Sequence, residues 1–298
     1  MPDSGQPTTT RRTLLRVGAA APAAYAAANL VSSSPAAAKS RSNAFGDLER
    51  AYETTIGVVA WNVRTGKRIT HRPDKRFAIC SVFKAVVAAA VLRDHDRAGE
   101  TLDRRVYYPH RDVLEYAPVT GEHVKDGMLV RELCEAAITL SDNTAGNLLL
   151  REVGGPRGLT AFVRSIGDRT TRLDRWEEAL NTARPGDLRD TTTPRAIART
   201  YKRLLVGDAL NHRDRRQLRE WMFANQTSRF ADSLPDGWRL ADKTGAGAYA
   251  STNDVGVAWN PAGEPIVIAA LTRRDERDAE TPDGLFSDIA QVIVERLG

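Results

Sequence analysis

The chain has 298 residues, of which 42% are hydrophobic and 27% are charged, and this balance excludes collagen-like, low-complexity and wholly disordered proteins. Its net charge of +5 comes without a long basic run or an aromatic-rich stripe, so no nucleic-acid partner is predicted. Two cysteines are too few for a disulfide framework, and a chain of this length buries a large core without one.

The first 38 residues have the features of an export signal. Arg11 and Arg12 begin a stretch that resembles the twin-arginine signal, which a receptor reads as an address. Residues 17–38 are uncharged and alanine-rich, contain a proline and end in small residues, which favours a cleaved signal over a stable membrane span. We therefore predict an export signal over 1–38 and a secreted or periplasmic mature protein that begins near Lys39. A disordered tail with a chance arginine pair is the alternative.

The remaining sequence alternates between helical and strand-like patterns. The spacing of apolar residues predicts helices at 43–53, 82–93, two within 129–151, 195–206, 213–223 and 284–297. Runs rich in β-branched residues predict strands at 55–63, 67–71, 238–244, 252–260 and 264–273. Residues 172–194 have no period, and a loop of this length in a compact domain is usually functional.

This order of elements predicts an α+β fold, because strands come from both ends of the chain and helices come from its middle. We expect an antiparallel sheet flanked by helices, built by residues 39–75 together with 208–298. Residues 76–207 are expected to form an inserted all-α domain that includes the loop 172–194. No internal repeat is evident in the sequence.

Ser81 and Lys84 stand three residues apart at the start of a predicted helix, so their side chains lie on one face. The amine can then accept the proton of the hydroxyl, and the helix N-terminus stabilises negative charge nearby. A serine cap beside a solvated lysine gives the same pattern, and alone the pair is weak support for catalysis.

Two further segments strengthen the pattern. Residues 141–143 (Ser-Asp-Asn) separate two predicted helices, and residues 242–245 (Asp-Lys-Thr-Gly) end a predicted strand. Each alone can be a turn, a helix cap or a strand terminus. In this order, and together with Ser81 and Lys84, they match the motif set of class A β-lactamases and penicillin-binding proteins.

Residues 175–181 (Arg-Trp-Glu-Glu-Ala-Leu-Asn) resemble the Ω-loop of class A serine β-lactamases, in which the glutamate at the position of Glu177 activates water. The resemblance covers residues 43–298 and implies a β-lactamase/transpeptidase-like fold. It also implies hydrolysis of penicillin- and cephalosporin-type antibiotics through a serine acyl-enzyme, and hence antibiotic resistance. Arg175 and Asp190 are the pair expected across the neck of the loop. The sequence departs from the family at Glu178, where proline is frequent, and at the next residue, where an acid is common.

The resemblance implies a nucleophilic role for Ser81. The backbone N–H groups of Ser81 and Ala246 would form the oxyanion hole, which is usually the largest contribution to catalysis. Lys84 and Glu177 are alternative bases for the acylation step.

The same resemblance assigns residues to the substrate. Ser141 would pass a proton to the departing lactam nitrogen, supported by Lys243. Asn143 would bind the side-chain amide of the substrate, while Lys243, Thr244 and Gly245 would bind its carboxylate.

Three more residues complete the implied site. Asn181 would position the hydrolytic water together with Glu177, and Tyr116 would line the mouth of the cleft. Many relatives carry an arginine on the strand after the KTG motif, at the position of Thr252 here. We expect Arg229 to supply that guanidinium from a neighbouring segment.

The implied protein is a monomer that binds a small β-lactam and needs no metal or organic cofactor, because the chemistry is acyl transfer to an activated hydroxyl. Cys80 and Cys134 are expected to be free thiols. A penicillin-binding D-Ala-D-Ala peptidase and a β-lactam sensor that acylates without turnover are the alternatives. Sustained hydrolysis of a β-lactam would distinguish a β-lactamase from both alternatives.

Overall fold

The computed structural model describes residues 44–96 and 99–298, so the predicted export signal lies outside the described residues. Within these ranges the helices are α1 (Ala44–Ala51), α2 (Phe83–Ala90), α3 (Val130–Thr139), α4 (Asn143–Glu152), α5 (Gly155–Ser165), α6 (Pro194–Leu205), α7 (His212–Phe223) and α8 (Leu285–Leu297). The strands are β1 (Thr55–Asn62), β2 (Arg68–His71), β3 (Phe77–Ala78), β4 (Arg105–Val106), β5 (Met128–Leu129), β6 (Thr191–Thr192), β7 (Arg239–Gly247), β8 (Ser251–Trp259) and β9 (Pro265–Arg273).

Five strands form an antiparallel sheet in the order β2-β1-β9-β8-β7. Val58 of β1 lies opposite Ala270 of β9, and Thr244 of β7 lies opposite Asp254 of β8. The sheet therefore joins the two ends of the described chain, which confirms the predicted antiparallel α+β fold. Strand β7 is the outer strand on one side, so one of its edges is free to face a ligand.

The sheet separates two apolar clusters, because successive side chains of a strand point to opposite faces. Ile56 and Val58 of β1 belong to the cluster beneath α1 and α8, which also contains Phe286 and Ile293. Val59, the next residue along β1, points to the opposite face and belongs to the larger cluster on the helical side of the sheet. Both faces of the sheet are thus buried, which explains the nearly continuous apolar runs in the central strands.

Helix α2 lies at the centre of the helical side. All eight of its residues are buried, and it contacts α3, α4, α5 and α7. A helix that is apolar on every side is stable only inside a core. Lys84 is the one charged residue in this helix, so its amine is carried into the interior.

Helix α5 was not predicted from the sequence. Gly154 is its N-cap, and Gly155 and Pro156 are its first two residues; residues of these types usually indicate a loop. Proline is nevertheless suited to the first turn of a helix, where its missing N–H costs no hydrogen bond. Leu159, Phe162 and Val163 then bury one face of α5 in the helical core.

Cys80 and Cys134 are both free and buried, as the sequence predicted. Burial raises the pKa of each thiol, because a buried thiolate loses its hydration. Among the described residues, no helix is both long and apolar enough to cross a membrane.

Glu49 of α1 ties the first helix to the sheet. Its carboxylate accepts hydrogen bonds from Arg72 at 2.6 and 2.8 Å and from the Ile56 N–H at 2.9 Å, and it lies 3.2 Å from His71 Nε2. Burial raises the pKa of Glu49, but these hydrogen bonds outweigh burial and lower the pKa to about 2. A carboxyl with a lowered pKa in the folded state stabilises the fold above its unfolded pKa, and that stability is lost as pH falls.

We predict that Glu49→Gln lowers the free energy of unfolding at neutral pH by roughly 1–3 kcal/mol. The difference from wild type should narrow from about pH 5 down to about pH 2, where wild-type Glu49 itself becomes protonated. Urea unfolding at several pH values measures this. The matched control is Glu53→Gln, since the Glu53 side chain is 81% exposed. A gap that stays constant with pH would contradict the assignment.

Candidate active site

A cleft of about 310 Å³ lies at the free edge of β7 and collects most of the predicted site residues. It is lined by Ser81, Tyr116, Ser141, Asn143, Asn181, Thr227, Arg229, Thr244, Gly245 and Ala246. Lys84, Glu177 and Lys243 are buried and contact these lining residues from below. A larger cavity of about 510 Å³, beside Trp61, is lined by none of them.

Ser81 lies in a short 3-10 turn, Cys80–Val82, directly before α2. Its hydroxyl donates a hydrogen bond to Glu177 Oε1 at 3.2 Å. Strand β7 packs closely on this turn at Gly245, where an added Cβ would lie 3.0 Å from Cys80 Cβ and 3.1 Å from the Ser81 nitrogen. Glycine is needed here because backbone approaches backbone, and this contact brings Ala246 into the same cleft as the hydroxyl.

Lys84 links Glu177 to the helical side of the cleft. Its amine donates to the Ser141 carbonyl at 2.7 Å and to Asn143 Oδ1 at 2.6 Å, and it lies 3.2 Å from Glu177 Oε1. Burial lowers the pKa of Lys84, while the Glu177 carboxylate opposes that shift. All three partners are acceptors, which is the set that an ammonium group with three N–H bonds requires.

Asn147 and Asn181 hold Glu177 on two sides. Asn147 Oδ1, on α4, accepts a hydrogen bond from the Glu177 N–H, and Asn147 Nδ2 donates one to the Glu177 carbonyl, each at 3.0 Å. Asn181 Nδ2 donates to Glu177 Oε2 at 2.6 Å. Backbone and carboxylate are thus fixed separately. Asn147 was not predicted from the sequence, although this residue lies four positions after Asn143 and hence on the same face of α4.

The neck of the loop is closed by the predicted ion pair. Arg175 Nε lies 2.5 Å from Asp190 Oδ2, and Asp190 Oδ1 accepts the N–H groups of Asp174 and Arg175. Asp190 is fully buried, so its charge is satisfied only by these bonds. The peptide bond between Glu177 and Glu178 is cis.

Lys243 connects β7 to Ser141. Its amine donates to Ser141 Oγ at 3.1 Å and to the Thr244 carbonyl at 2.9 Å. Burial and the nearby Lys84 charge lower the pKa of Lys243 to about 7. An amine near its pKa at neutral pH is suited to proton exchange with a hydroxyl.

The far end of the cleft combines hydroxyls with one guanidinium. Thr227 and Thr244 share a hydrogen bond between their side-chain oxygens, and Arg229 lines the cleft beside them. This corner can bind a carboxylate. Thr252, in contrast, is buried and hydrogen-bonded to Thr281, and it does not line the cleft. The sequence analysis missed Thr227.

Two buried carboxyls lie behind this corner. Asp242 of β7 and Asp254 of β8 are 2% and 0% exposed, and one oxygen of each, Asp242 Oδ2 and Asp254 Oδ1, has no hydrogen-bond partner among the described residues. Burial raises the pKa of both groups, and the Asp242 charge raises that of Asp254 further. The raised pKa values favour a protonated pair. Asp254 also accepts the Arg229 N–H at 2.8 Å, and so fixes the segment that carries the guanidinium.

Tyr116, which is 50% exposed, lines the cleft, and the exposed Glu178 lies next to the cleft residue Asn143. Glu178 Oε1 accepts a hydrogen bond from Asn143 Nδ2 at 2.9 Å. The structure thus brings every predicted site residue into the cleft or into contact with its lining.

Comparison with known proteins agrees with this geometry. Residues 39–297 match the Beta-lactamase enzyme family. The β-lactamase of Streptomyces albus G is 50% identical over 316 aligned residues, which cover 100% of this chain and 99% of that protein. Its solved structure superposes with a TM-score of 0.85 at 53% identity, covering 87% of this chain and 99% of the other. An ancestral class A β-lactamase named GNCA gives a TM-score of 0.82 at 50% identity, with 86% and 99% covered.

Two serines, two buried lysines and a loop glutamate are thus linked in one chain of contacts, Ser81–Glu177–Lys84–Ser141–Lys243, by the fold that these relatives share. The chain therefore belongs to the class A serine β-lactamases, hydrolases that cleave β-lactam antibiotics and confer resistance to them.

Proposed function

We propose that Ser81 attacks the β-lactam carbonyl carbon and forms an acyl-enzyme. The observation that carries this is the shared contact of Ser81 Oγ and Lys84 Nζ with Glu177 Oε1, each at 3.2 Å. The hydroxyl already donates to the carboxylate. As Oγ bonds to the carbonyl carbon, its proton passes to Glu177, directly or through a water.

Lys84 acts in this scheme as a cation. Its three hydrogen-bond partners are all acceptors, so the ammonium form is fully satisfied in the free protein. A positive charge beside Glu177 and Ser81 favours the negative charge that develops during attack. The alternative base, a neutral Lys84, would leave one of these three acceptors without a donor.

The tetrahedral intermediate places negative charge on the former carbonyl oxygen. The N–H groups of Ser81 and Ala246 are our candidates for stabilising it, since both residues line the cleft on either side of the β7 contact. Ser141 then gives its proton to the lactam nitrogen as the C–N bond breaks. Lys243 replaces that proton through its 3.1 Å hydrogen bond to Ser141 Oγ.

Hydrolysis of the ester requires an activated water. Net transfer of the proton that Glu177 took from Ser81 back to Lys243 first restores the carboxylate and the ammonium. Glu177 is then the base for hydrolysis, and Asn181, bound to its other oxygen, helps to position the water. As the water attacks the ester carbon, its proton passes to Glu177 and then to Ser81 Oγ, which leaves and releases the opened β-lactam. Asn143 binds the side-chain amide of the substrate throughout.

We predict that Glu177→Ala acylates more slowly than wild type, because it lacks the group that takes the Ser81 proton. Hydrolysis of the acyl-enzyme should be at least about 100-fold slower, because general-base catalysis contributes about 10²–10⁴-fold, and the ester should accumulate because it is less reactive than the strained lactam. Intact-protein mass spectrometry after addition of benzylpenicillin should show a long-lived adduct on Ser81. Ser81→Ala should show none, and Glu295→Ala, at an exposed position of α8, should turn over like wild type. Wild-type turnover by Glu177→Ala would refute the role of this carboxylate.

Arg229 is our candidate for binding the substrate carboxylate together with Thr244. The support is its place in the cleft and the fixed backbone that Asp254 provides. Thr252, the position of the arginine in many relatives, is buried away from the cleft lining. The guanidinium therefore reaches the carboxylate from the segment between α7 and β7.

We predict that Arg229→Ser lowers kcat/KM for benzylpenicillin by about 10- to 100-fold, mainly through KM, since a hydrogen bond to a charged group contributes about 1.5–3 kcal/mol. Steady-state kinetics measure this, and the thermal midpoint should hardly change. Arg216→Ser removes an arginine whose side chain is 68% exposed and serves as the control. A change in kcat/KM below twofold would show that Lys243 and Thr244 suffice.

We further propose that the protein is exported by the twin-arginine route, on the basis of the pattern at residues 1–38. Replacing Arg11 and Arg12 by lysine should stop export without changing the activity of the purified mature enzyme. Fractionation of a bacterium with a working twin-arginine pathway measures this. Unchanged export would contradict the assignment, and the same substitution at Arg203, outside the signal, provides a control for export.

A further inference from the structure

Glu178 contacts the residue proposed to bind the side-chain amide of the substrate. Its Oε1 accepts from Asn143 Nδ2 at 2.9 Å, while the other end of the same amide, Oδ1, accepts from Lys84 at 2.6 Å. The amide is therefore oriented from both sides. An amide nitrogen has two N–H bonds, so Asn143 can hold Glu178 and a substrate carbonyl at once.

The negative charge of Glu178 is poorly compensated. Within residues 44–96 and 99–298, no cation lies within 4.0 Å of this carboxylate. Lys84 is the nearby cation on this side of the cleft, but its three N–H bonds are directed to Ser141, Asn143 and Glu177. Glu178 is also exposed, so it presents its charge at the rim where the substrate side chain must lie.

We propose that Glu178 is a specificity-determining residue that favours β-lactams whose acylamino side chain carries a positive charge over those whose side chain carries a negative one. The inference rests on the proposed binding of the side-chain amide by Asn143. The α-carbon of that side chain is directly bonded to the amide carbonyl. A charge on this carbon is therefore separated from the Glu178 carboxylate by two hydrogen bonds, both made by Asn143 Nδ2, and a few covalent bonds.

Three penicillins separate the effect of charge from that of shape. Ampicillin, benzylpenicillin and carbenicillin share a phenyl side chain and differ at the α-carbon, which bears an ammonium, a hydrogen or a carboxylate. For each enzyme variant, kcat/KM for the two charged substrates is divided by kcat/KM for benzylpenicillin. The assays run at about pH 6, where an α-amino group is protonated.

We expect Glu178→Gln to lower the ampicillin-to-carbenicillin ratio by about 5- to 30-fold, as expected for unit charges several ångströms apart near a protein surface. Glutamine keeps an oxygen that can accept from Asn143, so the change isolates the charge. The ratio of the wild-type enzyme should also fall as salt rises, and that of Glu178→Gln should not. The control is Glu115→Gln, an equal charge change at an exposed residue beside Tyr116.

These measurements distinguish failure of the specificity role from failure of the proposed mechanism. A ratio that is unchanged in Glu178→Gln, or that changes equally in Glu115→Gln, overturns the inference while leaving the proposed mechanism intact. If the wild-type enzyme forms no Ser81 adduct with benzylpenicillin, the mechanism itself fails, and the inference falls with it. A reduced ratio confined to Glu178→Gln, and abolished by salt in the wild type, supports the specificity role.

Discussion

The buried ammonium of Lys84 is the contact on which the arrangement of the site depends. A charge in a protein interior is stable only when each of its donors finds an acceptor. Here the acceptors come from three separate parts of the chain: the Ser141 carbonyl, the Asn143 amide and the Glu177 carboxylate. Hydrogen bonds to this one ammonium therefore bring the break between α3 and α4, and the loop 172–194, against the start of α2, directly after Ser81.

The second constraint is the close packing of β7 on the turn before α2. Gly245 allows the backbone of the outer strand to approach Ser81, and Asn253 of β8 donates to the carbonyls of Ala78 and Ile79 from the same side. The sheet is thus hydrogen-bonded to the helical side just before Ser81. The cleft lies where the sheet meets the helical side of the fold. Its shape therefore depends on backbone contacts more than on flexible side chains.

The sequence predicted most of the machinery, because acyl transfer restricts the residue types and their spacing. Ser81, Lys84 and Glu177 were found from local motifs. Asn147 and Thr227 were missed because each acts through a contact between distant segments, and isolated polar residues of these types are common on any surface. Helix α5 was missed for a different reason: its Gly-Pro start resembles a loop until the burial of Phe162 is known.

The proximity of Asp242 to Asp254 also could not be predicted from the sequence, because it depends on the register between β7 and β8. Asp242 lies opposite Gly256, two residues from Asp254, so the two carboxyls are diagonal neighbours on one face. A sequence shows both acids but not that they lie side by side in the core. Only the paired strands reveal this second buried polar group behind the corner formed by Thr227, Thr244 and Arg229.

The complete burial of α2 prevents the site from opening locally while the rest of the enzyme stays folded. Local opening, in which a loop or helix end detaches while the rest stays folded, is open to exposed elements with few apolar contacts. Helix α2 has no exposed face; Lys84 is its second residue, and Ser81 is buried in the turn directly before it. The proposed nucleophile and the neighbouring lysine therefore separate only when the helical core itself comes apart. For this enzyme, the pair is as durable as the native state as a whole, and its lifetime is set by global unfolding.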